Sequence, residues 1–563
     1  MSKQSNYFLY LLIAGWVVIN LIQSAVVGLD PDEAYYWIYA HQLDWGYFDH
    51  PPVIALLIWL GGKIAGGALG VRLLMPLLSA ATFLILWDLA GRPRQKDQIV
   101  FLALLYAAMP LLQIYAFVAT PDVPLLFFAA LFFWSYQYFR QQPGLWRSLL
   151  WGTVMAALMY SKYHGAVLIL LTVFSNRSLW LQPWFYLAGI FALLLFFPHL
   201  YWQYTHDYPS FRYHLSGRDD PYELKHTLNY LLNQLLIFSP LLFPFIIRTL
   251  WKRKPQDQLE KTFRYVIFGF WLFFFYTTFK GHVEPQWTVI LSLPFILLLF
   301  REYKAGEKGY RLLRNLAIAS AALLLLARII MALPIDGLRT PFNRNGWVRE
   351  LQAATDGSPL IFQDSYRNPA MYEFYTGVRA YTFTDNCYRK NQYDIFDWET
   401  ELHNRTVWMV GQTTWENPKV TSLALSGNTF HVKKIDSIQI SQKVQLIMAL
   451  PDEPWKMGDT VTLEFGLINP YPHDIYPNTG GLPLSIGERY ADTDCLEDYS
   501  TMQLINAPKV WPAHATINLS GKFRVTDELP PGEHTFYLCI QSGDLPPAYA
   551  SRPIKIDLIR GDN

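Results

Sequence analysis

Residues Tyr7–Leu29 form a long, mainly apolar run, and it leads straight into Leu29-Asp30-Pro31-Asp32-Glu33-Ala34-Tyr35-Tyr36-Trp37-Ile38-Tyr39-Ala40-His41. A transmembrane helix needs about 20 predominantly apolar residues. This run is long enough for that, is too long for the apolar core of a signal peptide, and is not followed by a clear small-residue cleavage site. It reads as a retained first span. The acidic pair Asp32-Glu33 then stands at the membrane edge, at the entrance of a short aromatic, amphipathic helix that Asp32 is expected to cap.

Working outward from this junction, the chain divides in composition. Of its 563 residues 52% are hydrophobic and only 16% charged, against about 25% charged in soluble domains. The shortage of charge is confined to residues 1–334, which run through further apolar stretches at 71–91, 99–117, 122–139, 148–160, 163–175, 183–202, 228–250, 263–279, 286–300 and 315–333. With the first, at 8–29, these make about 11 spans. The fifth and sixth are short and break around Ser161-Lys162-Tyr163-His164. Residues 51–66 are apolar but short and read as a helix lying in the interface.

Lysine and arginine set the orientation. They cluster in alternate loops: Arg92, Arg94 and Lys96; Arg140 and Arg147; Lys252, Arg253, Lys254, Lys261 and Arg264; Arg301, Lys304, Lys308, Arg311 and Arg314. The positive-inside rule places these loops and the N-terminus in the cytoplasm. The loops at 30–70, 118–122, 203–227 and 280–285, and everything after 334, then face outward. A net charge of +1 gives no reason to expect a nucleic-acid partner.

Ionisable residues gather on that outward side. Asp49-His50-Pro51-Pro52 follows Asp32-Glu33 in the same loop, Asp122 opens the fourth span, Lys162 and His164 lie at the break, and Lys280, His282 and Glu284 lie in Lys280-Gly281-His282-Val283-Glu284-Pro285-Gln286-Trp287. Ionisable groups at membrane depth are functional candidates by default. Tyr35, Tyr36, Trp37 and Tyr39 are expected to anchor the loop helix at the interface, with Tyr35 also supporting the site.

The strings Asp32-Glu33-Ala34-Tyr35-Tyr36-Trp37, Gly46-Tyr47-Phe48-Asp49-His50-Pro51-Pro52, Thr120-Pro121-Asp122-Val123-Pro124, Ser161-Lys162-Tyr163-His164-Gly165 and Glu284-Pro285-Gln286-Trp287 resemble, in order and topology, the ArnT-like and protein-mannosyltransferase-like branch of the GT-C membrane glycosyltransferases. The resemblance covers about residues 1–330. It implies a first outward loop of interfacial helices around the active site, a polyprenyl-phosphate sugar donor and inversion at the anomeric carbon. It makes Asp32 the catalytic carboxylate, Glu33 its neighbour in the pair and Asp122 the second acidic position. Asp49-His50 departs from the family, since ArnT enzymes have Glu-Lys there.

The chemistry accounts for the residue types. An acceptor hydroxyl must give up a proton as it attacks the sugar, and a placed carboxylate takes it. The departing lipid phosphate needs positive charge where its own charge develops. Lys162 is the first choice, followed by His50, His282 and Lys280, with Asp49, Glu284 and Tyr35 in support. No cofactor is required. A divalent metal on Asp49 and His282 is left open, because their spacing is not that of a known ligand set.

Residues 335–440 read as a small α/β unit and 441–563 as an immunoglobulin-like β-sandwich. Both are expected outside the membrane. A Cys495–Cys539 bridge is open to this part if it faces an oxidising compartment, the alternative being that Cys387, Cys495 and Cys539 are buried thiols, and Tyr537, two residues before Cys539, is a candidate tyrosine corner. The resulting expectation is a multi-pass inner-membrane enzyme that moves a sugar from polyprenyl phosphate to a hydroxyl-bearing glycolipid, glycan or protein. The competing readings are a lipid-linked glycan flippase and an oligosaccharide ligase. A transporter should carry paired repeats with broken helices at the midplane, whereas here the ionisable groups collect on one face.

Overall fold

The computed structural model describes residues 3–560, apart from 216–220, 307, 334, 336–339, 344, 387, 413–419, 452 and 492–498. The chain forms two compact units, Met1–Arg344 and Asn345–Asn563.

The first unit is helical, and every apolar stretch of the sequence carries helix. Lys3–Val26, Asp122–Gln141, Leu145–Ser161, His164–Ser175, Pro183–Thr205, Gln258–Thr277 and Tyr310–Ala332 each match one stretch. Three stretches are interrupted, each for a local reason. Pro110 forces Met109 into an extended conformation, which separates Lys96–Ala107 from Pro110–Ile114. Ser239 takes a left-handed φ of 65° just before Pro240, which separates Leu224–Ile237 from Phe243–Lys252. Pro285 opens a 3-10 turn, Pro285–Leu291, that leads into Ser292–Glu302. Among the described residues four helices are long and apolar enough to cross a membrane on their own, namely Tyr7–Val26, Gly67–Leu89, Pro183–Thr205 and Tyr310–Ala332. Gly67–Leu89 sits centrally, 56% buried, while Pro183–Thr205 and Tyr310–Ala332 are peripheral at 17%. Gly152 lets the helices Leu145–Ser161 and Pro183–Thr205 pack closely, because a Cβ there would lie 2.6 Å from the Ala188 carbonyl.

Within 51–66 only Val53–Gly62 is a regular apolar helix, of 10 residues. At 1.5 Å per residue it is about 15 Å long, half of the roughly 30 Å hydrocarbon core. One face, with Ile54, Ala55 and Ile58, is buried, and Leu56, Trp59 and Leu60 are exposed. A helix with that length and that apolar outer face suits the interfacial reading.

The second unit begins with a mixed five-stranded sheet. Its strands run in the order Ala380–Phe383, Leu360–Gln363, Val407–Gly411, Asn428–Ile435 and Thr421–Leu425. The first three are parallel and the rest antiparallel. Two further sheets follow. One contains Leu484–Tyr490, Gly532–Ser542 and Ile554–Ile559, the other Thr516–Arg524, Thr460–Ile468 and Gln445–Ile447. The change near 440 is a change of sheet inside one unit, because Ile361, Met409 and Ile435 share a core with Leu467, Phe536 and Leu538. Tyr537 lies mid-strand opposite Arg489, with its ring 4.1 Å from that of Tyr549. Cys539 is a buried free thiol, and Cys387 and Cys495 lie outside the described residues.

Buried carboxyls give this unit a pH dependence. Burial pushes Asp364 up to about 8, with the hydrogen bond and charge of Asp385 adding to it. Burial likewise raises Glu373 to about 7 and Glu488 to about 8. The folded chain therefore keeps protons that the unfolded chain releases near pH 4. Stability falls as pH rises from there through the folded values. His403, pushed down to about 4 by burial, acts oppositely but only below about pH 6.5. The unfolding midpoint of residues 345–563, followed by pulse proteolysis of the intact chain, should be lower at pH 8.5 than at pH 6.5, and Glu488→Gln should flatten the difference. A midpoint that rises over this interval would contradict the assignment.

Candidate active site

The site is organised by four consecutive residues, Asp30-Pro31-Asp32-Glu33. Asp30 is the cap of the Pro31–Tyr39 helix, which corrects the expectation that Asp32 would be. The Asp30 carboxylate accepts the Asp32 N–H at 2.9 Å, and Glu33 reaches back to accept the Asp30 N–H at 3.0 Å. This is a capping box with proline at the first helical position. It leaves Asp32 half-buried at the second helical position, where the helix dipole favours a negative charge.

Glu33 is fully buried and ties three segments together. Its carboxylate accepts Arg72 Nε at 2.7 Å and also Arg72 Nη2. It accepts the Ala119 N–H at 2.7 Å as well. Arg72, also 0% exposed, donates onward to the carbonyls of Val27 at 2.7 Å and Gly28 at 2.8 Å. The end of the first helix, the loop helix and the 119–122 segment are thereby fixed to one ion pair.

Three residues beyond Ala119, Asp122 begins its helix and receives Lys162 Nζ on both oxygens, at 2.8 and 2.9 Å. Both partners are nearly buried, with side chains 5% and 7% exposed. Lys162 reaches Asp122 because the helix Leu145–Ser161 stops at it in an extended conformation. The buried Tyr115 hydroxyl lies within electrostatic reach of Asp122, Asp30, Glu284 and Asp32.

The rest of the first loop forms an aromatic wall. Tyr35, Tyr36 and Tyr39 are 2%, 9% and 0% exposed. They pack inside the protein and do not anchor the helix in the interface, a correction that follows from the neighbours the loop folds against. Tyr39 stacks on Tyr47 at 4.3 Å and donates to Asp49 Oδ2 at 3.4 Å. His50 packs 5.5 Å from Tyr36. Burial, followed by the charges of Tyr35 and Asp49, holds the Tyr39 phenol well above its usual range. The loop is pinned from behind. His199 bridges the Trp45 carbonyl at 2.7 Å and the Tyr163 hydroxyl at 3.0 Å. Ser210 donates to the Tyr47 carbonyl at 3.0 Å.

The remaining candidates are more open. Lys280 is exposed, and His282 lies 3.9 Å from Glu284, both of them well exposed. The His282 ring is 6.5 Å from that of His226. Asp49 is buried against Tyr39, whereas His282 keeps company with Glu284. Among the described residues no three His, Cys, Asp or Glu side chains come together as a metal-binding group. The described residues do not build a donor set around Asp49 and His282.

Reading the sequence missed Asp30, Arg72 and Tyr115. Asp30 was detectable from its spacing, since Asp-Pro-Asp-Glu places proline first and glutamate third in a helix. Arg72 was detectable as a lone charge at the head of an apolar run. Tyr115 gave no local signal.

Comparison with known proteins adds an independent line. Residues 49–202 match the family described as dolichyl-phosphate-mannose-protein mannosyltransferase. The lipid A galacturonosyltransferase RgtD of Rhizobium johnstonii is 25% identical over 328 residues, 55% of this chain and 68% of that protein. The apo crystal structure of ArnT from Cupriavidus metallidurans superposes with a TM-score of 0.57 at 13% identity, covering 76% of this chain and 98% of that one. The same protein bound to undecaprenyl phosphate gives 0.56 at 14% identity, covering 75% and 97%.

Proposed function

We propose that this chain, a membrane glycosyltransferase of the GT-C, ArnT-like kind, transfers one sugar from a polyprenyl phosphate to a hydroxyl of an acceptor at the outer face of the inner membrane. The observation that carries the reading is the Glu33 junction. One buried carboxylate fixes both the helix start that presents Asp32 and the segment that leads to Asp122. The match to a lipid A glycosyltransferase supports a glycolipid acceptor, and the ArnT complex supports an undecaprenyl phosphate donor. The charge map supports a cytoplasmic N-terminus and an outward-facing second unit.

In this reading Asp32 takes the acceptor's proton as its oxygen attacks the sugar's anomeric carbon. The bond from that carbon to the phosphate oxygen breaks on the opposite side, so the configuration inverts. Charge develops on the departing phosphate. Lys162 has three N–H donors and gives two of them to Asp122, which leaves one for a phosphate oxygen. His50, His282 and Lys280 supply further positive or hydrogen-bonding edges around the lipid headgroup. Asp49, Glu284 and Tyr35 hold this rim in shape.

The test uses purified protein with radiolabelled polyprenyl-phosphate sugars and candidate glycolipid, glycan and protein acceptors. Label should appear on the acceptor. Transfer only from diphosphate-linked oligosaccharides would make the chain a ligase, and lipid movement across vesicles without transfer would make it a carrier.

Lys162→Met should reduce transfer about 100-fold or more, the usual cost of losing a group that stabilises developing charge. It also strands Asp122, so Lys162→Met combined with Asp122→Asn is the sharper variant. The double variant should recover stability but not transfer. Wild-type turnover in it would reduce the pair to a structural tie.

A further inference from the structure

The helix Pro183–Thr205 is peripheral, with 17% of its apolar window buried. Near its C-terminal end, however, His199 and Gln203 are 0% exposed and Trp202 is 4% exposed. These three stand at i, i+3 and i+4, which puts them on one helix face. A buried histidine on a membrane helix is a functional candidate by default, and here it belongs to a chain of hydrogen bonds.

The hydrogens in that chain have fixed places. The Trp45 carbonyl can only accept, so His199 Nδ1, 2.7 Å from it, carries a proton. Both ring nitrogens bond neutral groups, and an unpaired buried charge is costly, so the ring is neutral. Its Nε2 then accepts, and the Tyr163 hydroxyl donates to it at 3.0 Å. The Tyr163 oxygen is left to accept from Gln203 Nε2 at 3.1 Å. Ser210 gives its hydroxyl hydrogen to the Tyr47 carbonyl at 3.0 Å. Its oxygen therefore also accepts from Gln203 Nε2, at 2.8 Å. Both amide hydrogens of Gln203 are used, and the chain runs unbroken from the Trp45 carbonyl to that of Tyr47.

The two ends of the chain flank Gly46. That glycine lies flush on Trp202, where a Cβ would come 2.4 Å from the ring carbon Cε3. Trp202 Nε1 in turn donates to Asp44 Oδ2 at 2.8 Å. Every residue from Asp44 to Tyr47 is thus held, and the Tyr47 N–H donates to the His50 carbonyl at 3.1 Å. The hold passes on to the Asp49-His50 corner. In the middle of the chain stands Tyr163, next to Lys162. The break between the helices Leu145–Ser161 and His164–Ser175 is therefore fixed by two adjacent side chains, Lys162 on Asp122 and Tyr163 on His199.

We propose that Tyr163, His199, Gln203 and Ser210 are positioning residues for sugar transfer, acting through Lys162 on one side and the Asp49-His50 corner on the other. The inference rests on the reading that Lys162 and His50 face the donor phosphate, and it adds the link that keeps the two in register.

The experiment pairs transfer kinetics with hydrogen–deuterium exchange on the full chain in detergent. Donors are undecaprenyl phosphate carrying radiolabelled galacturonic acid, mannose or aminoarabinose, and lipid A is the acceptor. Tyr163→Phe keeps the ring and removes the donor to His199. Its kcat should fall at least about tenfold, since a misplacement of about 1 Å costs about 100-fold, while donor KM holds. Exchange should quicken at 44–50 as well as at 161–165, and Ser210→Ala, at the other end of the chain, should quicken both in turn. Combining the two should cost little beyond the larger single loss, because both break one chain. His199→Gln offers one donor and one acceptor and should transfer faster than His199→Met. Unshifted thermal unfolding identifies the variants that fold. The proposal is overturned if a folded Tyr163→Phe transfers at the wild-type rate, if its exchange rises at 161–165 alone, or if His199→Met matches His199→Gln. If the wild type moves label from no polyprenyl phosphate while exchange stays linked, the function itself falls, and this role with it.

Discussion

Asp32→Asn should abolish sugar transfer while leaving the protein folded and able to bind its lipid donor. The substitution keeps the size of the side chain and removes its negative charge and its capacity to take a proton. A placed general base contributes about 100-fold to 10,000-fold, so turnover should fall by at least about two orders of magnitude. Folding should not suffer, because the helix start depends on other groups. Asp30 and Glu33 make the capping box, and Asp32 contributes its backbone N–H to it. Asp30→Ala supplies the contrast. It removes a cap worth about 1 kcal/mol, so it should lower stability and reduce transfer less than Asp32→Asn does. Donor affinity, measured by displacement of a labelled polyprenyl phosphate, should match wild type in Asp32→Asn. Wild-type turnover in that variant would remove Asp32 from the mechanism.

How much of this site could be read in advance depends on whether a residue's role is set by its own neighbours along the chain. The membrane class, the order of helices and the break at Lys162 follow from apolar length and from local interruptions, and these are written in consecutive residues. The expectation that Asp32, Asp122, Lys162 and Glu284 share one side of the membrane comes from charge placement in loops. Pairing does not. Nothing near Glu33 announces that its partner lies 39 positions away at Arg72, or that the Ala119 N–H points at the same carboxylate. The same limit explains the tyrosines. An aromatic run beside a span suits an interfacial anchor, and only the fold of the loop against Tyr47 and Asp49 turns Tyr35 and Tyr39 inward. In the second unit the strands were legible from alternation and turn residues, but the core shared across all three sheets was not, because its members are spread along the chain from Ile361 to Leu558.

Arg72→Met is expected to be the most destabilising single change in the membrane unit, and to silence transfer although Arg72 is not placed to touch either substrate. Removing one member of a buried ion pair costs about 3–5 kcal/mol, mainly because the other charge is left uncompensated. Here Glu33 would stay behind at 0% exposure, and the carbonyls of Val27 and Gly28, at the end of the first helix, would lose their donors. The guanidinium also lies 5.8 Å from the Phe117 ring and 5.9 Å from that of Phe342, so packing is lost as well. Glu33→Gln should be damaging in the mirror sense, stranding Arg72; the Asp30 and Ala119 N–H groups bond to different oxygens of Glu33, so the single amide oxygen serves only one of them. The double variant Glu33→Gln with Arg72→Met removes both charges, and it should be more stable than the two single losses added together. Stability and transfer should then separate. The double variant regains much of its unfolding midpoint, but Asp32 and the Ala119–Asp122 segment no longer share a rigid charged anchor, and a misplacement of about 1 Å is enough to cost about 100-fold in rate. Transfer should therefore stay low where stability returns, with the loss in kcat and not in donor KM. Recovery of both together would mean that the Glu33–Arg72 pair only holds the fold, and that Asp32 is positioned by the capping box alone.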